Sequence, residues 1–311
     1  MVVWLVIASY RNDDSVRGIL EQSLRDAGPG VFERILVVDS EGTGVIPRLI
    51  EERGWHRVTY RSYGHNLGSG ANLCERLRLA AEGGADYAYA INHDAYFDPQ
   101  VVSRLVQCAA SHPGLGAIYP LGYLTSVGLY NLTGTRSLPL SAKLTRSPPH
   151  VPLVDVYWSS SNSALYSLEP ARRGIVPWDA MWMAWEDLEY GWRLNAHGYR
   201  QVIVCDAVFR DNYEYTRRWF GRAMDKPPIR TYYYARNLIL AVRRSRNSPV
   251  YYIVILYRLA LEATVILLGK PAKAERLRLL WSGAMDGLRS RDVPSQAIGT
   301  SGKAGSPRRQ A

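Results

Sequence analysis

The segment Tyr87-Ala-Tyr-Ala-Ile-Asn-His-Asp-Ala-Tyr-Phe-Asp-Pro-Gln-Val-Val-Ser-Arg-Leu-Val-Gln-Cys-Ala-Ala-Ser111 passes from an apolar run, through a polar turn, into an amphipathic helix. Residues 87–91 have the length and side chains of a buried strand. Asp98-Pro99 is a strong helix start, because the Asp side chain accepts from free amides and Pro fits the first helical position. The same succession recurs on both sides: apolar runs at 3–8, 34–38, 57–60 and 116–119 alternate with helical patterns at 14–27, 45–53 and 70–82, and the present helix covers 99–111. Strands alternating with helices of this length predict an α/β domain with a mostly parallel central sheet flanked by helices. Ligands of such sheets bind beyond the carboxyl ends of the strands, so the residues after each apolar run are the first candidates for function.

Farther along, residues 119–151 are rich in Gly, Ser, Thr and Pro without a period and read as loops with a short hairpin. An ordered block at 154–166 leads into the aromatic stretch 178–193, a helix over 187–196 ended by His197-Gly198, and an apolar run at 199–204. A basic helix at 230–246 is broken by Asn247-Ser248-Pro249, and 250–268 is almost wholly apolar. That run is long enough to cross a bilayer. Arg258 and Glu262 sit near its middle, however, and each costs about 2.5–3.5 kcal/mol at a bilayer centre. Their i,i+4 spacing puts both on one helix face and leaves a broad apolar face for a headgroup layer or another subunit. Lys270 to Arg278 adds cations, Trp281 is a candidate interfacial anchor, and the Ser-, Gly-, Pro- and Arg-rich end from 289 reads as disordered. The expected division is a catalytic-type domain at 1–216, a helical membrane-associating or dimerising region at 217–288, and a basic tail at 289–311.

Composition narrows the classes. The 311 residues are 47% apolar and 21% charged, enough to bury a large core without staples. Three well-separated cysteines, Cys74, Cys108 and Cys205, argue against a disulfide framework or zinc module and fit a reducing compartment. Residues 2–7 are apolar but short and lack a basic leader, so they read as a first strand and not a signal peptide. The net charge of +10 is unevenly placed: from Arg217 onward there are 19 Lys and Arg against 5 Asp and Glu. That asymmetry suits an anionic surface, either nucleic acid or the cytoplasmic leaflet of a membrane.

Several positions could carry chemistry. Asp39 ends the second apolar run, where a carboxylate can hold a base or ribose or cap the following segment. His65-Asn-Leu-Gly-Ser-Gly-Ala-Asn72 opens a helix with small residues whose amides can approach a phosphate or sugar. The turn after the first strand, Ser9-Tyr10-Arg11-Asn12, is not a dinucleotide fingerprint, and no P-loop is present. Asp94, after the fourth strand, is a candidate ligand for Mg²⁺ or Mn²⁺, which take one or two protein carboxylates and fill the rest of the shell with phosphate oxygens and water. Glu186 and Asp187 are adjacent acids among Trp178, Trp182, Trp185 and Trp192. Aromatic faces are platforms for sugar rings, and desolvation beside them raises a carboxylate pKa toward that of a competent base. The acids also suit a helix N-terminus through its dipole alone.

Taken in order, Val6-Ile-Ala-Ser-Tyr-Arg-Asn12, Leu36-Val-Val-Asp-Ser40, Asn66-Leu-Gly-Ser-Gly-Ala-Asn72, Ile91-Asn-His-Asp94, Trp178-Asp-Ala-Met-Trp-Met-Ala-Trp-Glu-Asp187 with Glu189 and Trp192-Arg193, and Tyr232-Tyr-Tyr-Ala-Arg-Asn237 resemble the inverting glycosyltransferases of family 2, which have the GT-A fold, and especially their rhamnosyltransferase-like branch. The resemblance covers residues 3–245. It implies a Rossmann-like nucleotide-sugar-binding sheet, with Ser9, Tyr10, Arg11 and Asp39 toward the nucleoside, Asn66, Gly68 and Asn92 toward the donor, and Arg193 near its diphosphate. Asp94 would hold the metal, Asp187 would be the base, Glu186 would position substrate, and Trp182 and Trp185 would face the acceptor. The sequence departs from the family at Asn92-His93-Asp94, which carries one acid where two or three are usual, and at Ala207-Val-Phe-Arg-Asp211, which lacks a metal-binding His and offers Asp211 or Arg210 in its place.

The expected activity is transfer of rhamnose or a similar sugar from a nucleoside-diphosphate donor to a lipid-linked or cell-envelope glycan, at the cytoplasmic face of the membrane, by a peripheral protein that dimerises or binds anionic lipid. A nucleotidyltransferase would want a Gly- and Lys- or Arg-rich loop after the first strand. A nucleic-acid-binding protein would use the basic, Tyr-rich last third, but the apolar run there fits lipid better than a nucleic-acid groove.

Overall fold

The computed structural model describes residues 1–26, 31–136, 140, 142–211, 216–218, 221–223, 227–245 and 248–290. In chain order they form β1 (Val3–Ser9), α1 (Asp13–Asp26), β2 (Arg34–Asp39), α2 (Val45–Glu52), β3 (Val58–Ser62), α3 (Gly68–Glu82), β4 (Tyr87–Asn92), α4 (Pro99–Ser111) and β5 (Leu115–Leu124). Next come β6 (Leu129–Thr133), β7 (Ala142–Thr145), β8 (Leu153–Val156), β9 (Ala164–Ser167), α5 (Glu169–Arg172), α6 (Glu186–Ala196) and β10 (Arg200–Asp211). A small pair, β11 (Thr216–Arg218) and β12 (Gly221–Ala223), precedes three helices, α7 (Ile229–Ser245), α8 (Pro249–Gly269) and α9 (Lys273–Arg289).

The main sheet runs β3-β2-β1-β4-β9-β5-β10-β8. β3, β2, β1 and β4 are parallel, as are β5 and β10. β9 lies antiparallel between β4 and β5, and β8 antiparallel on the edge. β1 shows why the sheet is covered on both sides. Its Val3, Leu5 and Ile7 pack with Val16 and Leu20 of α1 and with Leu105 of α4, while Trp4 and Val6 face Leu73 and Leu77 of α3. Side chains alternate across a strand, so a continuous apolar run has to be buried twice. Asp98 caps α4 by accepting from the amides of Gln100 and Val101, at 2.8 and 3.4 Å. The hairpin expected in 119–151 is β6 and β7, which extend from the far half of β5.

A third cluster joins Met181, Leu188 and Trp192 to Leu238, Leu240 and Val242 of α7 and Ile255 of α8. The helices after residue 217 thus share a core with α6, the element that carries the adjacent acids.

Candidate active site

β4, β5, β10 and the start of α6 enclose a cavity of about 150 Å³ beyond the carboxyl ends of the strands. Asn92 enters from β4, Gly122 from β5, Phe209 from β10, Ser159 to Asn162 from the loop before β9, and Glu186 and Asp187 from the first turn of α6. Two acids in a first helical turn are favoured by the helix dipole. Burial, then the charge of Glu186 beside it, push the Asp187 carboxyl up from the ordinary 3.8 to about 7; hydrogen bonds from Ser161 and the charge of Arg76 pull the other way. Its Oδ1 is buried and has no hydrogen-bond partner. A carboxylate so placed is a proton acceptor near neutral pH.

The chain reaches α6 through an unusual backbone. Ala184 and Trp185 both have φ of 67°, in the left-handed region. Non-glycine residues there cost about 1–2 kcal/mol each and persist only when their surroundings hold them. Asn237 of α7, wholly buried, does the holding: its Nδ2 donates to the carbonyls of Met183 at 2.7 Å and Ala184 at 3.2 Å. Arg236 donates to the Oδ1 of Asn237 at 2.7 Å and to the Ala180 carbonyl at 3.2 Å. The indole of Trp185 donates to the Tyr234 carbonyl at 3.0 Å. From the other side, the Ser69 amide donates to the Trp182 carbonyl at 2.7 Å.

Beneath the cavity lies Arg76 of α3, 2% exposed. It donates to the carbonyls of Val6 at 3.2 Å and Ile91 at 3.1 Å, and reaches the Oδ1 of Asn92 at 3.5 Å. Burial lowers its pKa to about 10, so it stays a cation at neutral pH. A buried cation here offsets part of the cost of ionising Asp187.

The structure brings Asn92, Glu186 and Asp187 together on one cavity. Asp94 stands two residues beyond Asn92 in an exposed turn and does not line it. The glycine-rich start of α3 serves packing. A Cβ on Gly68 would sit 2.1 Å from the Trp182 carbonyl, and one on Gly70 2.2 Å from that of Met181. The Gly68 amide is taken by the Oδ1 of Asn66 at 2.9 Å, so within the stretch 65–72 the amides of Gly68 and Ser69 are engaged inside the protein. Trp182 and Trp185 do not line the cavity: Trp182 packs on Tyr233 at 4.8 Å between ring centroids, and Trp185 on Tyr234 at 5.3 Å. Arg193 is paired with buried Glu189 at 2.6 Å and does not line the cavity. Arg210 follows Phe209 on β10, and strand alternation turns it to the opposite face. The side chain of Asp211, at the end of β10, lies outside the described part of the molecule.

Along the same carboxyl edge of the sheet, beyond β1, Asp39 is buried and shapes the turn after β2. Its carboxylate accepts from the amides of Glu41 and Gly42, both at 3.2 Å, and from the Tyr60 hydroxyl at 2.8 Å. Ser9 is buried with an unpartnered hydroxyl, Tyr10 is half-buried, and Arg11 forms a two-pronged pair with Glu41 at 2.5 and 2.9 Å. These residues cluster at the carboxyl ends of β1 and β2, two neighbouring strands.

No protein-family model matches the chain, and no curated protein matches it by sequence. Solved structures do resemble it. TarS from S. aureus superposes with a TM-score of 0.60 at 12% identity, over 93% of this chain and 81% of that one. GalNAc-T7, solved with UDP, GalNAc and Mn²⁺, gives 0.61 at 10% identity over 94% and 56%. The mannosyltransferase PcManGT of Pyrobaculum calidifontis, solved with GDP-Man and Mn²⁺, gives 0.54 at 15% identity over 95% and 77%. The fold is the GT-A glycosyltransferase fold. Sequence identities this low establish architecture and leave the chemistry to the site.

A GT-A site implies a divalent metal, and the residues here fit one in a limited way. Among the described residues no group of three His, Cys, Asp or Glu side chains could enclose an ion. Asp94 supplies a single exposed carboxylate after β4. Mg²⁺ and Mn²⁺ need little more when phosphate oxygens and water complete the shell.

Proposed function

We propose that this protein is an inverting glycosyltransferase of the family 2 type. It would move a sugar, rhamnose or one similar, from a nucleoside-diphosphate donor to a hydroxyl of a glycan or lipid-linked acceptor. The observation that carries the reading is the desolvated Asp187, which lines the cavity together with Glu186 and Asn92.

The chemistry follows from charge. Asp187 takes the proton of the acceptor hydroxyl as the oxygen attacks the anomeric carbon, and its affinity for that proton is already raised by burial. One displacement from the face opposite the leaving diphosphate inverts the anomeric centre. Glu186 accepts from sugar hydroxyls, and Asn92 offers an amide to the donor. Ser9, Tyr10 and Asp39, clustered after β1 and β2, hold the nucleoside. Asp94 would hold the metal, which supplies positive charge to the diphosphate as it departs. Arg193, paired with Glu189 and off the cavity lining, is given no role in that step.

The test is a screen of nucleotide sugars, deoxythymidine-diphosphate rhamnose and uridine-diphosphate sugars including galactofuranose among them, for thermal stabilisation and slow donor hydrolysis with Mn²⁺ present. One donor should stabilise the protein and be hydrolysed. Neither effect with any donor would overturn the reading.

A further inference from the structure

α8 carries its polar and apolar residues on opposite sides. Val250, Ile253, Leu256 and Tyr257 are each about two-thirds exposed, and Leu261, Leu267 and Leu268 about half. At 100° per residue these positions form one stripe along the whole helix. Ile255 and Ile266 are buried on the opposite side. The two charges that interrupt the run in sequence turn away from the stripe. Arg258 donates to the Leu140 carbonyl and stands 5.6 Å over the Trp185 ring, and Glu262 is paired with Lys270. The outward face is therefore free of charge from end to end.

Length and a mean hydropathy of 1.8 would let α8 cross a bilayer. Crossing would surround it with lipid and break the contacts of Arg258 and Ile255 with the domain, leaving a bare cation in hydrocarbon. A helix packed on one side and apolar on the other lies in the plane of an interface. The charge around it selects the partner. α9 exposes Lys273, Arg278 and Trp281, the last 70% exposed, and the chain from Arg217 carries 19 basic against 5 acidic residues. A second copy would bring two such basic regions together, which repel; an anionic bilayer offers apolar and acidic complements at once.

We propose that the outward stripe of α8, with the basic residues of α9, docks flat on an anionic membrane surface, placing the protein peripherally on the cytoplasmic leaflet. Arg258, on the docked helix, stacks over Trp185, the residue before the acid pair, so docking fixes the catalytic loop relative to the bilayer. Resting on the glycosyltransferase reading, this names the acceptor class: a sugar hydroxyl on a lipid-anchored molecule.

The experiment is flotation of the full chain with vesicles of phosphatidylcholine alone or mixed with phosphatidylglycerol. The protein should float with the mixed vesicles and bind neutral ones at least roughly tenfold less. Ile253→Asp with Leu256→Asp, at exposed sites remote from the cavity, should cut binding by on the order of tenfold or more while thermal unfolding and nucleotide-sugar binding stay unchanged. Lys273→Glu with Arg278→Glu should do the same. Three results would overturn the proposal: no flotation of the wild type with mixed vesicles, resistance to alkaline carbonate extraction, which marks a spanning helix, or a lipid-free dimer that Ile253→Asp with Leu256→Asp converts to monomer. None of these readouts uses transfer, so failure here leaves the donor reading standing, and failure of the donor screen leaves docking standing.

Discussion

Asp187→Asn should make the protein more stable at pH 8 and not at pH 5. Burial and Glu186 hold the Asp187 carboxyl near pH 7, against an ordinary 3.8 in the unfolded chain. Above pH 7 it is ionised in both states and the folded protein bears the whole cost; below pH 4 it is protonated in both and the cost is gone. At about 1.4 kcal/mol for each tenfold change in proton affinity, that cost approaches ~4 kcal/mol at pH 8 and falls to ~1–2 kcal/mol at pH 5. The Asn amide puts a donor where Oδ1 has no partner, which gives back about 1–2 kcal/mol at either pH. The net gain is ~2–3 kcal/mol at pH 8 and near zero at pH 5. For a chain of this size that is roughly 5 °C in Tm at the higher pH. Thermal unfolding of both proteins at the two pH values measures it, and a difference in Tm that does not change with pH would refute the reasoning.

The same ionisation sets activity. Transfer by the wild type should rise about tenfold per pH unit below pH 7 and level off above it, because only the ionised Asp187 accepts a proton. Arg76→Met, which removes the cation that favours that ionised form, should move the rise to higher pH, as read from kcat/KM profiles. Asn237→Leu strips two carbonyls of their donor and frees the left-handed pair Ala184 and Trp185; it should cost about 2–4 kcal/mol in chemical denaturation and lower kcat more than it raises donor Kd. Gly70→Val drives a side chain into the Met181 carbonyl and should lower Tm by several degrees, a result expected of packing and not of lost phosphate contact. Asp94→Ala should weaken donor binding with Mn²⁺ and change it little without, by calorimetry.

Much of the architecture was legible because it rests on local pattern. The apolar runs of β1, β2 and β4, and the Asp98-Pro99 cap, announce themselves within a few residues. β9 did not, since four residues within a serine-rich stretch carry no period, and only pairing with both β4 and β5 makes them a strand. The same holds at the site. Glu186 and Asp187 stood out by their aromatic company, but what holds them is distant in the chain. Asn237 and Arg236 lie some fifty residues on, visible beforehand only as part of a motif without a role. Arg76 lies in the 70–82 helical pattern with nothing local to mark it, and only packing of α3 on the sheet buries it. Gly68 and Gly70 looked like a phosphate loop because glycine permits close approach of any partner, and here that partner is the tryptophan loop's own backbone.

The most direct test is to compare transfer and donor binding in Asp187→Asn once a donor is in hand. The account predicts donor binding within a few-fold of wild type and transfer lower by about 10²–10⁴, the contribution of a general base. Turnover near the wild-type rate in a folded Asp187→Asn protein would contradict it.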